Sequence, residues 1–252
     1  MFDLTDRVAI VTGGNGGIGL GMARGLAGAG ARVVVAGRNR DKSLRAVAEL
    51  DLLGRGGALA VEVDVTDEAS VAALIAQTES RCGRLDILIN NAGINIRKPP
   101  HEISLAEWYK VLETNLTSAY LCSHAAYPLL RRAGGKIINV GSIMSIFATS
   151  FSPAYAASKG GILQLTKACA AAWARDNIQV NAVLPGWIDT ELTEGTRRDV
   201  PGWHDSVVRR TPAGRWGSID DLRGIAVFLA APASAFVTGA AITVDGGYSI
   251  QG

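Results

Sequence analysis

Short runs of apolar, largely β-branched residues recur along the chain at Val8 to Val11, Arg32 to Ala36, Ala58 to Val63, Leu85 to Ile89, Lys136 to Val140, Gln179 to Leu184 and Ala241 to Val244. Each has the length of a strand, and most lack a polar alternation, which predicts strands covered on both faces. Between them lie segments whose apolar residues fall three and four apart, such as Ile18, Met22 and Leu26, or Val71, Leu74 and Ile75, the spacing of one helix face. Parallel strands need long crossovers. Strands alternating with helices therefore predict an α/β fold, a doubly wound, Rossmann-type parallel sheet of about seven strands with helices on both faces. No Pro/Ser-rich linker, charge block or repeat divides the chain, so 1–252 reads as a single domain. Residues 189–216 break the rhythm with Gly, Pro, Trp, Arg and Thr, and read as a substrate-covering loop with short helices.

Composition narrows the classes. Hydrophobic residues make up 48% and charged residues 19%, enough apolar surface to offset chain entropy and exclude disorder. The net charge of +2 comes from interspersed charges without a basic run, which argues against a nucleic-acid partner. No stretch approaches the roughly 20 apolar residues that cross a bilayer, so no membrane association is expected. Cys82, Cys122 and Cys169 are scattered and lack C-x-x-C spacing, which suggests buried thiols rather than a disulfide framework or a metal site. Acids stand at Asp3 and Asp6, where a signal peptide needs positive charge, and a reducing cytoplasm is the expectation.

An open parallel sheet binds ligands at the carboxyl ends of its strands. After the first run comes Thr12-Gly13-Gly14-Asn15-Gly16-Gly17-Ile18-Gly19, opening a helix. Glycines let the backbone turn sharply and approach a pyrophosphate, whose charge the helix N-terminus favours. The segment fits G-x-G-x-x-G from Gly14 and also T-G-x-x-x-G-x-G through Gly13, Gly17 and Gly19. No Lys-Ser/Thr follows, so a P-loop is excluded.

In the second register the chain resembles the short-chain dehydrogenase/reductase family, and the resemblance runs along its whole length. Asp64-Val65 is similar to the family's adenine-contacting pair and Asn90-Asn91-Ala92-Gly93 to its N-N-A-G motif. Pro185-Gly186-Trp187-Ile188-Asp189-Thr190 resembles the segment that holds the nicotinamide carboxamide in that family. The resemblance implies a coenzyme set of Gly13, Asn15, Gly16, Gly17, Ile18, Gly19, Arg38, Asp64, Val65, Asn91, Ala92, Gly93, Tyr155, Lys159, Pro185, Gly186, Ile188 and Thr190. Where an NAD site carries an acid after its second strand, this chain has Val35-Ala36-Gly37-Arg38-Asn39-Arg40. An arginine without a carboxylate favours a 2′-phosphate, hence NADP(H), with NAD(H) the alternative.

Tyr155 and Lys159 stand four apart, on one face of a helix whose start Ser152 and Pro153 mark. A tyrosine of ordinary pKa is a poor base at neutral pH. An ammonium at about 4 Å would supply roughly 4 kcal/mol at an effective dielectric of about 20, about three pKa units before desolvation. Ser142, after the fifth run, is placed to hydrogen-bond a substrate oxygen. By resemblance the catalytic tetrad is Asn115, Ser142, Tyr155 and Lys159, with Asn115 kinking its helix, and the assembly is a homotetramer. Gly160-Gly161 inside the same helix points to close packing.

Arg97-Lys98-Pro99 and Thr211 to Gly217 resemble the branch containing gluconate and deoxygluconate dehydrogenases. The expected reaction is hydride transfer between nicotinamide and a small-molecule carbonyl or secondary alcohol, with Tyr155 as acid/base and a sugar acid or polyol as substrate. Arg97 and Lys98 could face an acidic substrate. Met144, Trp187 and Trp203 could form an apolar wall that suits bulkier ketones or keto-esters. The rivals are a non-catalytic nucleotide-binding regulator and a dehydratase or epimerase that uses its nicotinamide transiently.

Overall fold

In a computed structural model, which describes residues 1–250 apart from the side chains of Thr196 and Asp199, the apolar runs become strands. They are β1 (Val8–Thr12), β2 (Arg32–Gly37), β3 (Ala58–Glu62), β4 (Ile87–Asn90), β5 (Gly135–Val140), β6 (Ile178–Pro185) and β7 (Ala241–Val244). All pair in parallel, in the order β3-β2-β1-β4-β5-β6-β7. Residues 251 and 252 of the expected domain lie outside the described residues.

Alternation within β1 shows why the runs are apolar throughout. Ala9 and Val11 enter one core with Met22, Leu26, Leu50 and Leu229, while Val8 and Ile10 enter a second with Leu74, Leu129 and Leu130. The first core lies under α1 (Gly17–Gly28), α2 (Arg40–Leu53) and α9 (Arg223–Ala230). The second lies under α3 (Glu68–Cys82), α5 (Ser118–Leu130) and α6 (Pro153–Trp173). Leu26, Leu74 and Leu88 are fully enclosed; truncating such a leucine to alanine costs about 2–5 kcal/mol. Close packing of α1 explains two glycines: a Cβ on Gly25 would meet the Arg223 carbonyl at 2.7 Å, and one on Gly21 would strike that of Ile219.

The expected substrate loop carries α7 (Glu191–Asp199) and α8 (Trp203–Arg210). Between α4 (Leu105–Leu112) and α5, residues Glu113–Thr117 form a wide π turn that contains Asn115; such turns mark an inserted residue and are frequent at functional sites. Strand order reverses between β1 and β4, so the turns that follow them open a crevice at the carboxyl edge of the sheet. Among the described residues no helix is long and apolar enough to cross a membrane.

Candidate active site

A cavity of about 430 Å³ fills that crevice. Its floor is the turn after β1, where Gly13 and Gly17 take φ of 63° and 51°, a backbone that favours glycine. A side chain on Gly13 would come within 2.9 Å of the Asn91 amide, and one on Gly19 would strike it. That amide is spent on the turn: Asn91 Nδ2 donates to the carbonyls of Thr12 (2.9 Å) and Gly13 (3.2 Å). The Thr12 hydroxyl in turn accepts from the N–H groups of Asn91 (2.9 Å) and Ala92 (3.1 Å), locking the β1 and β4 turns together. No side chain caps α1 at Gly16, so its N-terminus offers N–H groups and a positive dipole end to an anion. Arg38 lines the cavity, is exposed, and makes no ion pair among the described residues. A glycine turn that leaves no side chain on the cavity floor, an uncapped helix start and a guanidinium without an ion pair among the described residues fit a phosphorylated dinucleotide.

Tyr155, Ser142 and Lys159 line the inner end of the same cavity. Tyr155 and Lys159 share one face of α6, as their spacing predicts, and Lys159 Nζ lies 5.6 Å from the tyrosine ring centre. Lys159 is buried and donates to the Val140 carbonyl at 2.7 Å; burial lowers its pKa from 10.5 to about 8. Burial pushes the Tyr155 phenol above its ordinary value, opposed first by hydrogen bonding from Ser142 and then by the positive charge of Arg97. The lysine was expected to supply that opposition; its ammonium, 5.6 Å from the tyrosine ring centre, donates to the Val140 carbonyl, and Arg97 adds a second positive charge.

Asn115 ties the surrounding elements together. Its Oδ1 accepts from the Ile94 N–H (2.8 Å), while Nδ2 donates to the Ile94 carbonyl (2.9 Å) and to Ser158 Oγ (3.1 Å). The Ser158 hydroxyl donates to the Tyr155 carbonyl at 2.7 Å, so the π turn, the segment after β4 and the start of α6 are held in register. Ser142 Oγ accepts from the Met144 N–H at 3.1 Å, which orients the hydroxyl.

A second pocket of about 60 Å³ adjoins Tyr155 and Ser142, lined also by Asn95, Arg97, Met144, Phe151, Trp187 and Leu192. Arg97 makes no ion pair among the described residues; its Nη2 donates to the Leu192 carbonyl at 3.2 Å, and burial lowers its pKa. Lys98, grouped with Arg97 in the sequence, is instead held by Glu107 at 2.6 Å. Trp187 crosses Trp203 at 5.2 Å and Trp216 at 5.7 Å between ring centres. Trp203 thus backs the apolar wall without lining the pocket.

Four of the expected coenzyme residues do not line this cavity. Asp64 accepts from the N–H (3.0 Å) and hydroxyl (2.7 Å) of Thr66, forming its own turn, and Val65 is buried; neither lines the cavity. Ile188 packs into the first core, and Gly19 serves close packing. Asn15, Gly16, Gly17, Ile18, Ala92, Gly93, Pro185, Gly186 and Thr190 line the cavity. Sequence reasoning missed Lys42 and Glu191, which also line it. The signal for Lys42 was its place one turn beyond Arg38, at the start of α2, where Asn39 Oδ1 caps the Lys42 N–H at 2.9 Å.

Comparison with known proteins agrees with this geometry. The family model described as Enoyl-(Acyl carrier protein) reductase matches residues 13–249. A 2-dehydro-3-deoxy-D-gluconate 5-dehydrogenase of Formosa agariphila is 41% identical over 249 residues, 98% of this chain and 94% of that one. A gluconate 5-dehydrogenase of Gluconobacter oxydans is 41% identical over 252 residues, 100% and 98% of the two chains. The crystal structure of a gluconate 5-dehydrogenase from Burkholderia cenocepacia, in complex with NADP and tartrate, superposes with a TM-score of 0.94 at 40% identity, covering 100% of this chain and 98% of that one. Two turns at the switch point of a parallel sheet, a Tyr-Lys pair on one helix face and this full-length similarity converge: the chain belongs to the short-chain dehydrogenase/reductase family of NAD(P)-dependent oxidoreductases.

Proposed function

We propose that the protein transfers a hydride between NADP(H) and a secondary alcohol or carbonyl on a small acidic substrate, a sugar acid or a related hydroxy acid. The observation that carries this reading is the placing of Tyr155 and Ser142 where a glycine-floored cavity meets a second pocket lined by Arg97. Arg38 and the uncapped start of α1 would hold the coenzyme phosphates, with Gly186 and Thr190 at the nicotinamide end. Bound there, the coenzyme supplies or takes up the hydride.

The chain's residues do the rest. In the reducing direction the Tyr155 hydroxyl gives its proton to the substrate oxygen as that oxygen gains negative charge, and in the oxidising direction it takes the proton back. Ser142 donates a hydrogen bond to the same oxygen and steadies the phenolate through the interaction that already lowers the Tyr155 pKa. Lys159 holds positive charge below this pair and returns protons to it. Asn115 is a positioning residue, acting through Ser158 and Ile94. Arg97 would take the substrate carboxylate; a guanidinium half withdrawn from water and free of any carboxylate among the described residues suits that role.

Phe151, Met144 and Trp187 favour a second reading, a ketone with an apolar body. We further propose a cytoplasmic homotetramer. The open space beside Gly160 and the exposed Leu105, Tyr109 and Tyr120 support an assembly face, whereas Gly161 is explained by contact with Leu116 within the chain. The test follows NADPH and NADH absorbance against keto-sugar acids, alicyclic keto acids and neutral ketones. Oxidation of NADPH by keto acids is expected; turnover with NADH alone would overturn the Arg38 argument, and silence across the panel would overturn the reading.

A further inference from the structure

One ion pair in the coenzyme cavity stands where phosphate chemistry alone would not put it. Lys42, in the first turn of α2, holds both carboxylate oxygens of Glu191, the first residue of α7, at 2.8 and 2.7 Å. The ammonium stands over the glycine turn, since a Cβ on Gly16 would lie 2.9 Å from it. Both residues line the cavity beside Arg38. A carboxylate in a cavity suited to phosphates repels the ligand it faces, yet here it occupies a cation that a phosphate could use. Glu191 is 76% exposed and Lys42 29%, and an exposed pair of this kind shifts an equilibrium by no more than about fivefold. It can therefore be exchanged for a stronger anion.

We propose that Glu191 is an internal anion that competes with a coenzyme phosphate for Lys42, and so sets coenzyme affinity and links it to the position of α7. This rests on reading the cavity as a coenzyme site. When a phosphate takes Lys42, Glu191 is released and the first turn of α7 loses a cationic tether, while Arg197 still pairs with Asp189 further along the helix. A second cation on that first turn is Arg97, whose Nη2 donates to the Leu192 carbonyl. The substrate carboxylate would compete for that one. Coenzyme and substrate thus each draw away a cation that holds the first turn of α7, and binding at one site eases movement at the other.

Calorimetric titration of NADP⁺ and NAD⁺ into wild type, Glu191→Gln, Lys42→Met and the double variant tests this. Glu191→Gln should tighten binding by up to about fivefold. Lys42→Met should weaken it roughly tenfold or more, and Glu191→Gln should then have no effect in the Lys42→Met background, because the competition needs both partners. A change confined to NADP⁺ assigns Lys42 to the 2′-phosphate, whereas equal changes assign it to the pyrophosphate. Tightening by Glu191→Gln that persists without Lys42 would reduce the effect to simple repulsion and overturn the proposal, as would unchanged binding in Glu191→Gln. Failure of both dinucleotides to bind wild type would overturn the coenzyme reading itself. Hydrogen exchange of the α7 amides gives a second readout: NADP⁺ should speed it in wild type and leave it unchanged in Glu191→Gln.

Discussion

Strand β5 carries a buried lysine environment at each end, and the two differ in company rather than in charge. At the amino end Lys136 is partly buried, donates to Ser234 at 3.3 Å, and has its pKa lowered by burial to about 8. At the carboxyl end Lys159 donates to the Val140 carbonyl, and burial lowers it to the same value. A perturbed lysine therefore does not by itself mark catalysis. What separates the ends is that Lys159 shares the coenzyme cavity with Tyr155 and Ser142, which also meet Arg97, a cation without an ion pair among the described residues, whereas the cations near Lys136 are committed. There Arg7 and Arg84 hold the buried Asp86 carboxylate at 2.9 and 2.6 Å. Hydrogen bonds from Arg84, the Val8 N–H and Arg7 outweigh the effect of burial on that acid and lower its pKa. One end spends its charges on the fold, and the other keeps them for a ligand.

The contrast breaks if the two lysines are equivalent. Lys159→Met should lower kcat by roughly 10²- to 10⁴-fold, while Lys136→Met should leave it within about twofold, a change typical of sites remote from the chemistry. Similar losses in steady-state assays would remove the distinction. A smaller effect sharpens the role of unpaired charge at the carboxyl end: Arg97→Met should raise KM for an acidic substrate roughly 10- to 100-fold and leave KM for a neutral ketone unchanged. Equal changes for both substrates would make Arg97 a structural residue.

The smallest effect is thermodynamic. Lys159 has a folded pKa of about 8 against 10.5 for an ordinary lysine. Between those values the unfolded chain keeps a proton that the folded chain has lost, so stability gains from this residue as pH rises. Urea unfolding should show wild type gaining on Lys159→Met by up to about 3 kcal/mol across that window. Lys136, only partly buried, should give the same sign and a smaller size. Parallel pH dependence of wild type and Lys159→Met would contradict the burial argument.

The sheet was legible because its signal is local: each strand is a short apolar run, and the alternation that divides β1 between two cores follows from the two-residue period. The glycine turn and the Tyr155-Lys159 pair were legible for the same reason, since a tight turn and a helix face are written in consecutive residues. Side-chain partners were not. Arg97 and Lys98 are neighbours in sequence, yet one reaches the pocket and the other is held by Glu107. Lys42 and Glu191 are 149 residues apart, and only the closing of α7 over the crevice brings them together. Asp64 followed its motif but is occupied by Thr66, two residues on.

The most direct test of the account is Tyr155→Phe, assayed for NADP⁺ binding and for turnover on the same preparation. The account predicts wild-type coenzyme affinity with nearly all turnover lost, because the hydroxyl proton is needed for chemistry and the ring alone for shape. Turnover near wild type would contradict it and remove Tyr155 as the proton donor.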